Sequence, residues 1–383
     1  MRHPGLTDGP IYLDYNATTP VDPHVVEAAL PYLTRHFGNP SSSHAYATQP
    51  RTAVAEARRQ VARLLRASDT EIVFTGGGSE ADTLAIRGAA LAARAQRRGD
   101  HVVTQVTEHP AVLEACRSLT ADGFTCTEVA VDSHGKVDPA DLESAVTDRT
   151  VLVSVMTANS ETGTLQPIRE LVAIAHSHGA LLHTDSAQAA GKIQLDVTEL
   201  GVDLLTVVGH KMYAPKGIGA LYVRSGTPIQ PIVHGAGQER GLRAGTENVA
   251  FIVALGVAAE LAAARLPSPT VRDVLHEELD RLLPGGIQLN GHPVDRLPNT
   301  LNISLAGING KELLAATPKI AASTGSACHE GVDSPSAVLT AMGLSSDRAL
   351  AAVRLSCGRW TTTEQARRAA DLLAAGYKAM RHD

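Results

Sequence analysis

The sequence has few aromatic residues, few cysteines and no excess of positive charge, and each shortage excludes a class of protein. Aromatic residues make up 3% of its 383 residues, so the core must be built from alanine, leucine and valine. The formal net charge of −6, from 34 basic against 40 acidic residues, predicts no direct nucleic-acid binding. Four scattered cysteines are too few for a disulfide framework, and no pair of them has the spacing of zinc ligands.

Long apolar runs are absent as well. The longest begins at Val249 and meets Glu260 after about 11 residues, whereas a membrane-spanning helix needs about 20. The first residues contain no apolar segment of the kind found in secretory signals. Because 44% of the residues are hydrophobic and 19% are charged, we expect a globular, cytoplasmic protein, kept reduced, in which one thiol can be chemically active.

Short β-rich segments alternate with longer helical patterns in the first part of the chain. Such alternation predicts βαβ crossovers and an α/β fold, with a mostly parallel sheet covered by helices on both faces. The predicted strands are 71–75, 101–106, 124–131, 150–156, 181–185, 204–208 and 219–223. The predicted helices between them are 79–98, 110–121 and 168–178.

The pattern changes after Glu247. Two long helical patterns, 247–264 and 268–283, are separated by prolines, and a mixed β and α region follows them. This change indicates two domains, with a boundary in the first of the two helices. The predicted large domain is 15–257, and the predicted smaller α+β domain is formed by 1–14 and 258–383.

The segment TGGGSEAD, residues 75–82, lies between a predicted strand and a predicted helix. Its glycines let the backbone approach a ligand closely, the helix start offers free N–H groups, and Ser79 adds a hydroxyl donor. Together these features predict a phosphate site. On its own, the segment is equally well a glycine-rich turn with Ser79 as the helix N-cap.

A carboxylate and a lysine follow two other strands. The strand of LLHTDSAQ delivers Asp185 at its carboxyl end, and Lys211 follows the next apolar strand in VGHKMYAPKGIG. Pyridoxal-phosphate enzymes need these parts: a lysine for the Schiff base, a carboxylate for the pyridinium proton and a loop for the phosphate. Either residue alone is more simply a surface lysine or a helix N-cap, but three parts at strand ends favour the cofactor site.

Three further side chains are candidates for this site. His109 follows a strand in TEHP, where an imidazole can stack on a planar ring and move protons, although an ordinary loop histidine has the same pattern. Cys328 lies in ASTGSACHEG, a loop of small residues that suits a working thiol, and a structural cysteine is the alternative. Arg354, in the strand-like AAVRLS, can bind a carboxylate in a bidentate fork or form a partly buried ion pair.

Jointly, these motifs resemble the class V aminotransferases, which are pyridoxal-phosphate enzymes of fold type I, and among them the cysteine desulfurases of the NifS/IscS type. The similarity runs from YLDYNATTPVDP at 12–23 to VRLSCGRWT at 353–361. Between these lie FGNPSSSH, TGGGSEAD, TEH, ANSETG, DSAQ, GHKMYAPKGIGALYVR and GAGQERGLRAGTEN. The resemblance implies a fold-type I α/β architecture, with the cofactor bound by the large domain and the cysteine loop carried by the small one.

The resemblance implies that pyridoxal 5'-phosphate is the cofactor, and it gives roles to the residues around the ring. Lys211 would form the Schiff base and act as the base at the substrate Cα. Asp185 would pair with the pyridine nitrogen and Gln188 with the phenolic oxygen. His109 would stack on the ring and assist proton transfer.

It also implies groups for the phosphate and for the substrate, L-cysteine. The residues implied to bind the phosphate are Gly78, Ser79 and His210. Because family members are homodimers, Thr246 would reach the phosphate of the other protomer. Asn159 and Arg354 would bind the substrate carboxylate. Cys328 would take the sulfur as a persulfide, leaving L-alanine, and would pass the sulfur to a protein acceptor.

The sequence departs from the family pattern in the phosphate site and in the cysteine loop. Val208 stands where relatives have a phosphate-binding serine, and valine cannot make that contact. The cysteine loop reads GSACHEG in place of the GSACTS of housekeeping relatives. Cys357 lies close to Arg354 in the sequence, and its strand context favours a buried structural cysteine over a second active thiol.

Two other functions remain open from the sequence. Another class V enzyme, such as an aminotransferase, a selenocysteine lyase or a kynureninase-like hydrolase, would share Lys211 and Asp185 but would not need Cys328. A weakly active assembly partner would need none of them. The sulfur acceptor also stays open among iron–sulfur assembly, tRNA thiolation and DNA phosphorothioation, and the departures from the pattern favour a specialised, DndA-like member.

Overall fold

The structure is a computed structural model that describes residues 3–325 and 334–382. Its strands are β1 (Ile11–Tyr12), β2 (Ile72–Thr75), β3 (His101–Gln105), β4 (Thr125–Val129), β5 (Thr150–Ser154), β6 (Leu181–Asp185), β7 (Leu204–Val208), β8 (Gly219–Val223), β9 (Ile287–Asn290), β10 (Thr300–Leu305), β11 (Ile320–Ala321) and β12 (Ala352–Ser356). Its helices are α1 (Pro23–Thr34), α2 (Thr48–Leu65), α3 (Gly78–Ala95), α4 (Pro110–Ser118), α5 (Pro139–Ala145), α6 (Ile168–Ser177), α7 (Val197–Leu200), α8 (Val249–Ala264), α9 (Thr270–Leu282), α10 (Gly310–Ala316), α11 (Ala337–Ala341), α12 (Ser346–Leu350) and α13 (Thr363–His382).

The central sheet holds seven strands in the order β2-β8-β7-β6-β5-β3-β4. β8 runs antiparallel to β2 and β7, and the other neighbouring pairs are parallel. The predicted mostly parallel sheet is therefore confirmed, and β6, β7 and β8 have the bounds that the sequence predicted. These strands are apolar runs because both faces of the sheet are covered, so that every residue of β7 and β8 is buried.

Helices cover the two faces of this sheet with separate hydrophobic cores. On one face, α3 and α4 bury Leu84 and Val112 together with many alanines. On the other face, α2, α6 and α8 bury Val61, Leu171 and Leu255. Because alanine side chains are small, these helices can approach the strands closely, so a chain with few aromatic residues can still pack its interior.

A second, antiparallel sheet has the order β12-β10-β9 and packs against α9 and α13. Its core is a separate cluster that includes Leu279, Leu301, Leu355 and Leu373. β1 pairs in parallel with β11, which brings the start of the chain into this region. The predicted α+β character of the C-terminal region is confirmed, whereas the limits of the two domains stay a prediction.

The two long helices predicted after Glu247 are present as α8 and α9. α8 begins at Val249 because the Asn248 side chain accepts a hydrogen bond from the Phe251 N–H and caps the helix. α9 begins two residues later than the pattern predicted. Within residues 3–325 and 334–382, no helix is both long enough and apolar enough to cross a membrane.

Candidate active site

The carboxyl ends of β2, β3, β5, β6 and β7 meet at one edge of the central sheet, because these strands run in the same direction. Gly78, His109, Asp185 and Lys211 lie at these ends or within four residues of them. Open α/β sheets bind their ligands at this edge. Four segments that the sequence singled out separately are therefore brought to one place by the topology.

Lys211 follows β7 by three residues, and its amine is held by backbone. Its Nζ donates to the carbonyl oxygens of Asn16 and Ala17, at 2.7 Å and 2.8 Å. Burial, and then the positive charge of Arg354, lower the pKa of Lys211 to about 8, although the charge of Asp185 opposes this shift. Much of the amine is therefore uncharged at slightly alkaline pH, as a lysine that acts as nucleophile and base requires.

Asp185 is one of three buried carboxyl groups that act on one another electrostatically. Its Oδ1 accepts a hydrogen bond from the Ala187 N–H at 2.8 Å, and burial raises its pKa. Burial also raises the pKa of Glu108 to about 8, and burial together with the charge of Asp185 raises that of Asp82. Within the described residues, Asp82 Oδ1 and Glu108 Oε2 have no hydrogen-bond partner. A positive charge bound here would stabilise all three carboxylates.

His109 caps α4, since its Nδ1 accepts a hydrogen bond from the Ala111 N–H at 3.1 Å. In the neutral ring, this bond assigns the proton to Nε2. Desolvation lowers the pKa of His109, against the attraction of Asp185, so that the neutral form is favoured at pH 7. The helix cap thereby fixes both the orientation and the tautomer of this side chain.

The TGGGSEAD turn leads into α3, which begins at Gly78. Gly77 has a φ of 148°, a conformation that other residues rarely adopt, so the turn requires glycine at this position. Glu80 holds the turn in place: it accepts a hydrogen bond from the Gly76 N–H at 2.9 Å and pairs with Arg243 at 2.8 Å. The first N–H groups of this 18-residue helix have no partners within it, and they can bind an anion.

Val208 forms an apolar wall beside this turn. A Cβ atom at Gly78 would lie 2.7 Å from Cγ2 of Val208, which is closer than such atoms approach. Beside Val208 there is therefore no room for a side chain at position 78. Ser79 follows in the first turn of α3. His210 Nδ1 lies 3.2 Å from Thr18 Oγ1, and burial lowers the pKa of His210 to about 4, which keeps this ring neutral.

Arg354 lies on β12 and is 7% exposed. Its Nη2 donates to Asp14 Oδ1 at 2.8 Å, and its Nη1 donates to the Ser160 carbonyl oxygen at 3.2 Å. The ion pair that the sequence left open is therefore present. In the part of the chain that the structure describes, the buried Nε–H has no hydrogen-bond partner, so the chain itself does not satisfy every donor of this guanidinium.

Asn159 and Gln188 are both held in place by hydrogen bonds to neighbouring groups. Asn159 Oδ1 accepts hydrogen bonds from two backbone N–H groups of the turn that follows it, while Nδ2 donates to the Thr107 carbonyl oxygen at 3.2 Å. Gln188 Nε2 donates to the Asn16 carbonyl oxygen at 3.0 Å, and Oε1 accepts from Lys192 Nζ at 2.6 Å. Sequence reasoning missed Asn16 and Lys192. Each had a signal in the sequence: Asn16 lies in the YLDYNATTPVDP motif, and Lys192 interrupts an otherwise apolar segment.

The remaining candidates have other positions. Thr246 is exposed, beside a cavity whose lining includes Gly76 and Arg243. Cys328 lies outside the described residues. Cys357 is buried, and burial raises its pKa to about 12, which confirms that it is a buried cysteine and not an accessible thiol.

Comparisons with known proteins place the chain in a family. The Aminotransferase class-V family model matches residues 11–368. A cysteine desulfurase from Nostoc sp. (strain PCC 7120) is 47% identical over 369 residues, which cover 95% of this chain and 92% of the relative. A NifS-like protein of known structure matches with a TM-score of 0.88 and 34% identity, over 98% of this chain and 100% of that chain. A structure of SspA in complex with cysteine matches with a TM-score of 0.82 and 36% identity, over 92% of this chain and 99% of that chain. The chain therefore belongs to the class V aminotransferase family, as its motifs indicated.

Proposed function

We propose that this chain is a cysteine desulfurase, which converts L-cysteine to L-alanine and takes the sulfur onto Cys328 as a persulfide. The observation that carries the proposal is the grouping of Lys211, Asp185 and Arg354: a lysine amine lies within electrostatic reach of a buried carboxyl group and a buried guanidinium. An amino-acid substrate needs a cation for its carboxylate and an amine for its Cα proton. The matched relative from Nostoc sp. is named for this activity, and SspA was solved with cysteine.

The residues fit pyridoxal 5'-phosphate as the cofactor. The buried carboxyl groups of Asp185, Asp82 and Glu108 act on one another electrostatically, so a cationic ring nitrogen at Asp185 would stabilise the ionised form of all three. The start of α3 suits the phosphate. When bound, this cofactor withdraws electrons from the substrate Cα, which makes its proton removable. The residues that would hold the cofactor are Lys211, Asp185, Gln188, His109, Gly78, Ser79 and His210, with Thr246 supplied by a second copy of the chain.

Arg354 and Asn159 would orient the substrate. Asp14 and Ser160 fix the Arg354 guanidinium, whose positive charge would attract the substrate carboxylate. Asn159 Nδ2 also donates to Met156 Sδ at 3.8 Å, a weak acceptor that a substrate carboxylate would replace. Lys211, with a pKa of about 8, would take the Cα proton and return a proton, while the neutral His109 would move a proton at the substrate thiol.

Sulfur transfer balances as L-cysteine plus a thiol giving L-alanine plus a persulfide. The Cys328 thiolate would attack the substrate sulfur, so that an S–S bond forms and the Cβ–S bond breaks. The electron pair of the broken bond stays on carbon and is protonated there. No external oxidant is needed, because carbon gains the electrons that sulfur loses. Since a thiolate attacks, the rate is expected to rise as the Cys328 thiol deprotonates.

An exposed apolar face supports a homodimer. Val26, Leu30 and Leu33 lie on one side of α1 and Phe37 follows it; each is at least half exposed, and Tyr46 packs against Phe37. Monomeric proteins rarely leave such a patch uncovered, and a second copy would cover it. Leu30→Asp is expected to halve the mass measured by light scattering and to weaken cofactor binding. Val294→Asp, on another exposed apolar residue, should leave both unchanged, and a wild type that is already monomeric would contradict the dimer.

A protein acceptor would take the sulfur from Cys328. Iron–sulfur assembly, tRNA thiolation and DNA phosphorothioation would each supply one, and Val208 together with the GSACHEG loop favours a specialised route. A reduced cytoplasm is the compartment that this chemistry needs, because thiols stay free there. Capture of one dedicated protein by the persulfidated enzyme would support a specialised route. Sulfur transfer to small thiols alone would contradict it.

The test of the proposed function is the sulfide and alanine formed from L-cysteine in the presence of a thiol reductant. The wild type is expected to form both products in equal amounts. Cys328→Ser is expected to form almost none while it keeps the colour of the bound cofactor. Turnover by both proteins would make Cys328 a bystander, and it would favour a lyase or an aminotransferase of the same family.

A further inference from the structure

Lys192 is a buried amine that the reaction described above does not use. It lies four residues after Gln188 and is 8% exposed. Its Nζ donates to Gln188 Oε1 at 2.6 Å and to Asn16 Oδ1 at 3.0 Å. Burial, and then the positive charges of Lys211 and Arg354, lower the pKa of Lys192 well below its usual value.

Packing alone does not account for a lysine at this position. Burying an amine between neutral oxygen atoms costs free energy that an apolar side chain of the same length would not. The neighbouring cations make this position still less favourable for a charged amine. A lysine at this position therefore indicates a role that needs a hydrogen-bond donor. Its two hydrogen bonds connect that role with Gln188 and Asn16.

The hydrogen bond from Lys192 to Oε1 fixes the orientation of the Gln188 side-chain amide. The amine lies against two oxygen atoms and donates to both, so the Gln188 atom beside it is the oxygen and Nε2 faces the other way. Nε2 donates to the Asn16 carbonyl oxygen at 3.0 Å, the same atom that accepts from Lys211 Nζ at 2.7 Å. The N–H groups of Gln188 are thereby presented on the side of Lys211.

We propose that Lys192 is a positioning residue: it fixes the Gln188 amide so that an N–H group faces the phenolic oxygen of the cofactor. The inference rests on the proposed function, in which Gln188 binds that oxygen. A donor at this place stabilises the negatively charged form of the oxygen. Without Lys192, the amide is no longer held in this orientation, and the N–H donor to the phenolic oxygen is lost.

The test is the pH midpoint at which the bound cofactor of the loaded enzyme changes its visible absorbance. A stabilised oxygen anion attracts the neighbouring proton less, so loss of the N–H donor raises this midpoint. We expect a rise of about one pH unit in Lys192→Met, the size expected for one hydrogen bond to a charged group. Gln188→Leu should give the same rise, and the double variant Lys192→Met/Gln188→Leu no further rise, because both changes remove one contact.

Two further variants separate positioning from a general effect of the substitution. Lys192→Gln keeps a donor toward Oε1 and should titrate near the wild-type midpoint. Lys136→Met removes a lysine that pairs with Asp295 and should leave the midpoint unchanged. Thermal unfolding of the cofactor-free Lys192→Met protein should be at or above the wild-type temperature, because an unfavourable buried amine is removed.

Each outcome has a clear reading. A Lys192→Met enzyme with the wild-type midpoint contradicts the inference, and so does a double variant in which the two shifts add. If Lys192→Met does not fold, equal midpoints for Lys192→Gln and Gln188→Leu contradict it, and a wild-type midpoint for Lys192→Gln alone supports it. A wild type that takes up no pyridoxal phosphate contradicts the proposed function and this inference with it, whereas a coloured wild type with an unchanged Lys192→Met contradicts the inference alone.

Discussion

The candidate site has two ends, one around Asp185 and Lys211 and one at the start of α3, and they offer different groups to a ligand. Around Asp185 and Lys211, the chain buries carboxyl groups, an arginine and a second lysine, and some of their atoms have no hydrogen-bond partner in the described residues. Beside the start of α3, it places the methyl groups of Val208 against Gly78. The first end, called the ring end below, offers charged groups suited to the cofactor ring of the proposed function. The second, called the phosphate end, offers the backbone N–H groups at the start of α3.

The difference indicates which end would bind the proposed cofactor more specifically. Side chains with shifted pKa values surround the ring end, so its contribution to binding depends on the charge of the ligand. Helix N–H groups at the other end bind a phosphate without regard to pH near neutrality. Changes at the ring end are therefore expected to have large effects, and changes at the phosphate end small ones.

The largest effect is expected from Lys211→Ala, which removes the amine of the ring end. The yellow colour of the loaded protein should disappear, and turnover should fall by more than about a thousandfold, as for the loss of a catalytic nucleophile. Lys216→Ala, at an exposed lysine of the same loop, should keep both. Visible absorbance and sulfide release measure the two effects. A Lys211→Ala protein that keeps its full yellow colour would contradict the assignment of Lys211 as the residue that forms the Schiff base.

A second effect is expected in the stability of the cofactor-free protein. Glu108 has an ordinary pKa of 4.5 that burial raises to about 8, so the folded state holds a proton that the unfolded state releases above pH 4.5. Stability should therefore fall as pH rises from about 4.5 to 8, by about 4 kcal/mol at pH 8. Glu108→Gln should reduce this loss of stability. Glu114 is an exposed residue of α4, so Glu114→Gln should leave the loss unchanged.

Urea unfolding at a series of pH values measures this decline. The loaded protein should show less of it, because a cationic ring nitrogen favours the ionised carboxylates. The contradicting result is a wild type whose free energy of unfolding changes as little between pH 5 and 8 as that of Glu108→Gln. The pKa of Glu108 would then not be raised by burial, and the ring end would not differ from the phosphate end in this respect.

The smallest effect is expected at the phosphate end. Val208→Ser returns a hydroxyl donor beside the turn and should strengthen pyridoxal-phosphate binding about fivefold to tenfold, the size of one hydrogen bond. Val208→Ala is the matched control, because it removes the methyl groups without adding a donor. Gly78→Ala should weaken binding, since its Cβ would lie 2.7 Å from Val208, and the double variant Gly78→Ala/Val208→Ser should recover it. Equal affinity for Val208→Ser and Val208→Ala would contradict this explanation.

The sequence was sufficient where local pattern decides structure. The apolar runs bounded by glycine and polar residues predicted β6, β7 and β8 to the residue, and strand ends in a parallel sheet placed Asp185 and Lys211 at one edge. Helix ends were less predictable. The helix predicted for 110–121 ends at Ser118, because the chain tightens there into a 3-10 turn at Leu119–Asp122.

The contacts that shape the site could not be predicted, because they join distant segments. Asn16 holds Lys211 across 195 residues, and Asp14 pairs with Arg354 across 340. Neither pairing leaves a periodic signal in the sequence. Lys192 was overlooked for a different reason: a lone lysine after an apolar segment is usually exposed, and the folded chain alone shows that it is buried against Gln188.

The most direct test of the account is mass spectrometry of the loaded enzyme after one exposure to L-cysteine without a reductant. The account predicts one additional sulfur atom on the peptide that carries Cys328, formed together with alanine, and none on the peptide that carries the buried Cys357. Alanine formed without sulfur on Cys328, or sulfur found on Cys357 in its place, would contradict it.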